Sequence, residues 1–236
     1  MTSETIDRTR AGRVRAASPA VAAERPVPAP ARPPRIRALH PLLIGPLAAW
    51  EGVFAETAAL GFDTVLVPPL FAPDATGDLF RTADHDRPHP ILESPEDGDA
   101  TLARLCAAAA RHGLAFWLDL VADQAPESGV LARTHPDWFA VPGSAAPLDP
   151  RRDLPGAGMR RVRGEAAEPL AAWWSARVAR WHEAGVAGLR CLDPHRLPAL
   201  FWRLLFAGEG PRARLAWTPG VPAEAVRALA GLGFTR

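Results

Sequence analysis

Residues 185–202 read GVAGLRCLDPHRLPALFW, and this stretch decides the fold. Gly185 closes an apolar helical stripe that ends at Trp181, since glycine takes the left-handed conformation that stops a helix. Val186 to Leu192 then forms a run of small, branched and apolar residues, short enough for a buried strand. Charge appears abruptly at its carboxyl end, with Arg190 inside the run and Asp193 and His195 just beyond it. Pro194 and Pro198 bracket the start of a new helix carrying Leu200, Phe201, Trp202, Leu204 and Leu205. Polar groups at the carboxyl end of a buried strand are where α/β barrels and open α/β sheets place their chemistry.

The same grammar repeats outward from this point. Ile36 to Leu39, Phe62 to Val67, Leu114 to Val121 and Ala213 to Trp217 read as further strands, each short and apolar. A helix started by Pro46 sets Leu47, Trp50, Phe54 and Ala58 on one face and stops at Gly61. A second, with Asp99 as its expected cap, turns Leu102, Leu105, Cys106 and Ala109 inward and ends at Gly113. A third carries Leu170, Trp174, Val178 and Trp181 at helical spacing, which makes these aromatics core. Pro222 starts a further helix with Val226 and Leu229, and Leu232 to Phe234 is expected to begin a sixth strand. Strand and helix in alternation imply a parallel sheet with right-handed crossovers. Periodicity alone leaves a barrel and a doubly wound sheet open, although no Gly-x-Gly-x-x-Gly follows the first strand to support a dinucleotide site.

Composition narrows the class. At 236 residues the chain holds one sizeable domain, expected over 35–236. Residues 1–34 are rich in Ala, Pro and Arg and lack any period, which reads as a disordered tail. A formal charge of +1 gives no electrostatic case for nucleic acid. Cys106 and Cys191 each fall on an apolar element and read as buried small hydrophobes rather than a disulfide. No run approaches the roughly 18 apolar residues of a membrane span, and the N-terminus lacks a signal peptide's apolar core. A cytoplasmic protein without a membrane partner is the expectation.

Two stretches fall outside the regular pattern. Leu70 to Gly98 reads as a long loop dense in Asp84, His85, Asp86, Arg87 and His89. Its spacing fits no familiar zinc site, so no metal and no cofactor is assigned, and a solvated loop is expected. Residues 140–166, rich in Gly, Pro and Arg, read as an irregular lobe.

Several of these stretches resemble the α-amylase superfamily of retaining glycosidases and transglycosidases. The wording Gly-x-Arg-x-x-Asp-Pro-His-Arg-x-Pro from Gly188 to Pro198, running on to Phe201-Trp202, is similar to the fourth-strand motif of its α-1,4-glucan:maltose-1-phosphate maltosyltransferase branch. AFWLDLVADQAP, residues 115–126, resembles the third-strand motif; His85-Asp86-x-x-His89-Pro90 and His135-Pro136-x-Trp138-Phe139 resemble segments of the same branch. The resemblance covers about residues 35–234 and implies an incomplete (β/α)8 barrel of about five units. It implies α-glucan or maltose 1-phosphate as substrate, and an open sheet edge through which the protein can associate. It makes His85 and Asp86 candidate sugar contacts and gives Asp119 the role of holding neighbouring groups in place.

The working acids are where the sequence departs from the family. Retaining glycosyl transfer needs two carboxyl groups about 5–5.5 Å apart, one a nucleophile and one an acid/base. The nucleophile position, two residues after Arg190, holds Leu192, and the acid of the fifth-strand Leu-Ala-Glu run is replaced in Leu215-Ala216-Trp217. The family's third carboxylate belongs near a seventh strand, beyond Arg236, and Asp123 and Gln124 stand where the amylases have Asn-His. Asp193 rescues the nucleophile only if it lies past the strand's end, because one residue of shift turns a side chain to the opposite face. Arg190, deprived of its usual partner, is expected to pair with Asp119 or Asp193. His85, Asp86, Asp119, Arg190, His195 and Trp217 are the substrate-binding candidates, and with His40 they are expected to gather at the carboxyl ends of the strands. Three readings follow: an active transferase or hydrolase using Asp193, a non-catalytic glycan-binding or partner module, and a truncated segment of a longer protein. The substitutions favour catalytic impairment.

Overall fold

The computed structural model describes residues 33–140 and 158–235. The tail expected over residues 1–34 falls, but for its last two residues, outside them, as does most of the lobe expected over 140–166.

In chain order, the strand β1 (Ile36–Ala38) leads into helices α1 (Pro41–Ile44) and α2 (Leu47–Ala59), then strand β2 (Thr64–Val67). A hairpin of β3 (Phe71–Pro73) and β4 (Thr82–Pro88) precedes helix α3 (Gly98–Arg111) and strand β5 (Ala115–Leu120). Strand β6 (Gln124–Pro126) and the short helix α4 (Val130–Thr134) follow, then β7 (Met159–Arg161) and helix α5 (Ala167–Glu183). The chain continues through β8 (Val186–Leu192), α6 (Ala199–Ala207), β9 (Ala213–Trp217) and α7 (Ala223–Arg227). Strands β1, β2, β5, β8 and β9 form one parallel sheet in that order, curled into a half-barrel. Adjacent in chain order and joined by helices, they match the five strands expected, with the last two bounds unchanged.

The sheet's two faces are unlike. Val65, Val67, Phe116, Leu118, Leu189 and Cys191 pack outward against Trp50 and Phe54 of α2, Leu102 and Leu105 of α3, and Leu170, Trp174 and Trp181 of α5. Alternation then sends Leu66, Trp117, Asp119, Gly188, Arg190 and Leu192 to the inner face. The phase of β8 is set by an irregularity: Phe116 pairs with Val186, but Trp117 already pairs with Gly188, so Ala187 is an extra residue. A β-carbon on Gly188 would lie 2.4 Å from the Trp117 ring, and glycine is what lets that indole lie flat on the inner face.

Several expectations change. The segment 70–98 is not a solvated loop: it folds into the β3–β4 hairpin and packs His89 and Leu92 into the interior. Asp97, not Asp99, caps α3, its carboxylate accepting from the Ala100 amide at 2.8 Å. Asp99 sits in the first turn and takes a 2.8 Å bond from Arg180 Nε instead. Residues 232–234 form no strand; yet the Thr235 amide donates to the Arg214 carbonyl at 2.9 Å, on the outer edge of β9. Among the described residues no helix is long and apolar enough to cross a membrane.

Candidate functional site

The parallel register brings the polar strand ends together. Asp119 on β5 pairs in register with Arg190 on β8, which pairs with Leu215 on β9. Arg190 Nε and Nη2 donate to the two oxygens of Asp119 at 2.7 and 2.6 Å, a bidentate fork. Asp119 is buried; burial pushes its carboxyl above the ordinary range while the guanidinium pulls it back down. The Arg190 guanidinium also lies over the Trp217 ring, 4.7 Å from its centroid. Of the two partners expected for Arg190, the structure selects Asp119.

Leu192 and Trp217 are themselves register partners on neighbouring strands. Their backbones are therefore about 4.8 Å apart, the strand spacing, so the two positions the resemblance assigns to nucleophile and acid face each other. Both hold side chains without an exchangeable proton of use near neutral pH.

Asp193 lies just past β8, in the left-handed conformation at φ 45° and ψ 46°. Its carboxylate accepts from Arg196 Nη1 at 2.8 Å, and the same nitrogen is 3.4 Å from buried Asp123. Asp123 also takes a 2.6 Å bond from Arg161 of β7. Burial pushes its carboxyl up, with Arg161 and Arg196 opposing. Each of the three aspartates at these strand ends is thus already held by arginine. His195 is half-buried in the turn Pro194–Arg196, which Trp202 anchors by donating from Nε1 to the Pro194 carbonyl at 2.9 Å.

His85 and Asp86 have other surroundings. The His85 imidazole is packed against Phe71, Trp173 and Trp174, with centroids 5.7, 5.3 and 5.2 Å away. A rim of the residue stays exposed, yet burial of the ring, with Arg177 adding like charge, pushes its pKa down to about 3. It shares with Asp119 the lining of a narrow internal cleft beside Phe80, Gln124 and Trp181. Asp86 points elsewhere, into a notch with Asp97, Asp99 and Arg180. Arg177 ties this corner down, donating to the His85 carbonyl at 2.9 Å and to Asp86 at 2.7 Å. His40 is exposed at the start of α1. Sequence reasoning passed over Arg177, Arg161 and Arg196; for Arg196 the spacing of three from Asp193 was a usable signal.

No family model matches the chain. It is 36% identical over 200 residues to the alpha-1,4-glucan:maltose-1-phosphate maltosyltransferase of Burkholderia pseudomallei (strain K96243), covering 81% of this chain and 18% of that relative. It is 28% identical to the enzyme of the same name from Bifidobacterium longum (strain NCC 2705), covering 77% of this chain and 27% of the relative. The fold matches α-amylase crystal structures. For that of Geobacillus thermoleovorans complexed with acarbose the TM-score is 0.65 at 16% identity, over 85% of this chain and 48% of the other. For that of Lactobacillus plantarum it is 0.62 at 17% identity, over 74% and 41%. The chain belongs to the α-amylase superfamily. It is an α-amylase/maltosyltransferase-family domain built as a half-barrel. It spans 18% and 27% of the length of the two maltosyltransferases.

Proposed function

We propose that this domain is a non-catalytic member of its family, which recognises α-glucan without transferring or hydrolysing it. One observation carries the reading: the facing pair at the ends of β8 and β9 is Leu192 and Trp217. A retaining mechanism loses its nucleophile and its proton donor together at that pair, and no slower version of the same chemistry survives their joint loss. The surrounding carboxylates do not substitute. Asp119 is spent on Arg190, Asp123 on Arg161, and Asp193 on Arg196. Maltose 1-phosphate and α-1,4-glucans are the ligand class, taken from the maltosyltransferase relatives.

The test offers purified protein maltose 1-phosphate with an acceptor glucan and, separately, a chromogenic maltoside. No product above the no-protein control is the expected result. Turnover that disappears in Asp193→Ala would show a displaced nucleophile at work, and the non-catalytic reading would be abandoned.

A further inference from the structure

Among the phenylalanines and tryptophans of the described residues, Trp217 is the one that is exposed, at 43%. An indole left bare on an edge strand forfeits burial that every other tryptophan of the described core obtains. It is nevertheless held firmly. Arg190 lies 4.7 Å from the ring centroid. Arg190 is in turn fixed by two bonds of 2.7 and 2.6 Å to Asp119, whose side chain is fully buried. The register of β5 on β8 fixes both. The ring is therefore braced from one side by a guanidinium that cannot swing away, and the remaining surface faces outward at the strand ends. Leu192 is the register partner of Trp217, and the chain turns just past it at Asp193.

A rigid aromatic plane with one side open suits an amphiphilic ring, one whose faces carry C–H bonds and whose periphery carries hydroxyls. A pyranose has that form. Bracing also lowers the entropic cost of binding, because little ordering is left to do when the ligand arrives. We propose that Trp217, braced by Arg190 and Asp119, is a stacking platform for a pyranose ring of an α-1,4-linked glucan, an inference that rests on the non-catalytic reading above. The indole then occupies the place of the family's acid as a binding group rather than as an inert replacement.

The experiment titrates the full chain with maltoheptaose by calorimetry, with circular dichroism to show that each variant is folded. Wild type binds saturably; Trp217→Ala weakens binding about ten-fold, and Trp217→Phe retains part of it. Arg190→Lys keeps the charge but not the fork, and weakens binding about three-fold through a looser ring. Trp138→Ala, which removes the half-exposed indole stacked on His135, leaves affinity unchanged. The platform is overturned if folded wild type shows no saturable binding, or if Trp138→Ala rather than Trp217→Ala abolishes it. Turnover is scored in the separate assay, so the two ideas fail apart. Product formation with Trp217-dependent binding sinks the non-catalytic reading and keeps the platform; saturable binding without product that is unchanged in Trp217→Ala sinks the platform and keeps the reading; absence of binding sinks both the platform and α-glucan recognition.

Discussion

The hairpin cluster around His85 and the strand-end cluster around Asp119 look alike as sequence, each a mix of carboxylate, base and nearby aromatic. Folding gives them different surroundings. At the hairpin, Arg177 reaches in from α5 behind the cluster, stacks on Trp173 at 5.0 Å, and draws β4 onto the helix. At the strand ends, Arg190 rises from the sheet itself and lies over Trp217, which faces solvent. The protonation chemistry diverges accordingly. The bond from Arg177 holds the outward-facing Asp86 below the ordinary carboxylate range, whereas burial pushes Asp119 above it. An arginine delivered from a helix makes its cluster a clamp; one delivered from the strand makes a brace under an open surface. Charge density in the sequence does not distinguish them, because the element that supplies the arginine does.

The sharpest way to break this comparison is to remove the brace. Arg190→Ala leaves the Asp119 carboxyl buried without its partner, which is expected to cost about 3–5 kcal/mol of unfolding free energy. Urea denaturation followed by far-ultraviolet dichroism measures it. Adding Asp119→Leu in the same chain should recover most of the loss, since the uncompensated group is then gone. A cost under about 1 kcal/mol for Arg190→Ala would mean the pair behaves as a surface ion pair and braces nothing.

The clamp is the next test. Arg177→Ala removes two charge-assisted hydrogen bonds and a cation–π contact from a guanidinium only 7% exposed, at an expected cost of about 2–3 kcal/mol. The loss should be local before it is global. Amide exchange in residues 82–88 is expected to accelerate well ahead of that in α3. Uniform acceleration across both would show that Arg177 is ordinary core and does not hold the hairpin.

How much of this was legible beforehand follows from the range of the interactions. The five-strand order and the helix faces were readable because burial on one side imposes a local period, as Leu170, Trp174, Val178 and Trp181 show. The Arg190–Asp119 pair was narrowed to two partners by the family motif and settled only by register. The hairpin was missed because Asp84 to Pro88 carries no apolar alternation; its stability comes from Arg177, 91 residues away from Asp86. The extra residue at Ala187 was invisible for a related reason. A bulge is a property of two strands together, and it alone turns Gly188 under the Trp117 ring. Gly188→Ala should accordingly cost about 1–3 kcal/mol by overpacking, in a position where sequence alone shows only a small residue in a strand.

The smallest expected effect is a pH dependence that separates the two clusters. His85 titrates at about 3 in the folded protein, against 6.5 for an ordinary imidazole. Below about pH 6.5 the unfolded chain takes up a proton that the folded chain refuses until about pH 3. Stability from this residue is therefore fully present above pH 6.5 and declines as pH falls through that window. Arg177 adds to the depression and Asp86 opposes it, so both groups facing the ring are accounted for. In that window His85 and His89 act in the same direction, while the raised carboxyls of Asp119 and Asp123 act in the opposite one, so the comparison with His85→Gln isolates the imidazole. In wild type the urea midpoint should fall over that interval; in His85→Gln it should fall less steeply, whatever the variant's absolute stability. The strand-end variant Trp217→Ala should keep the wild-type slope, since it leaves the packing around His85 untouched. Equal slopes in wild type and His85→Gln would place the ring in contact with water, and the contrast between clamp and brace would then rest on Arg177 alone.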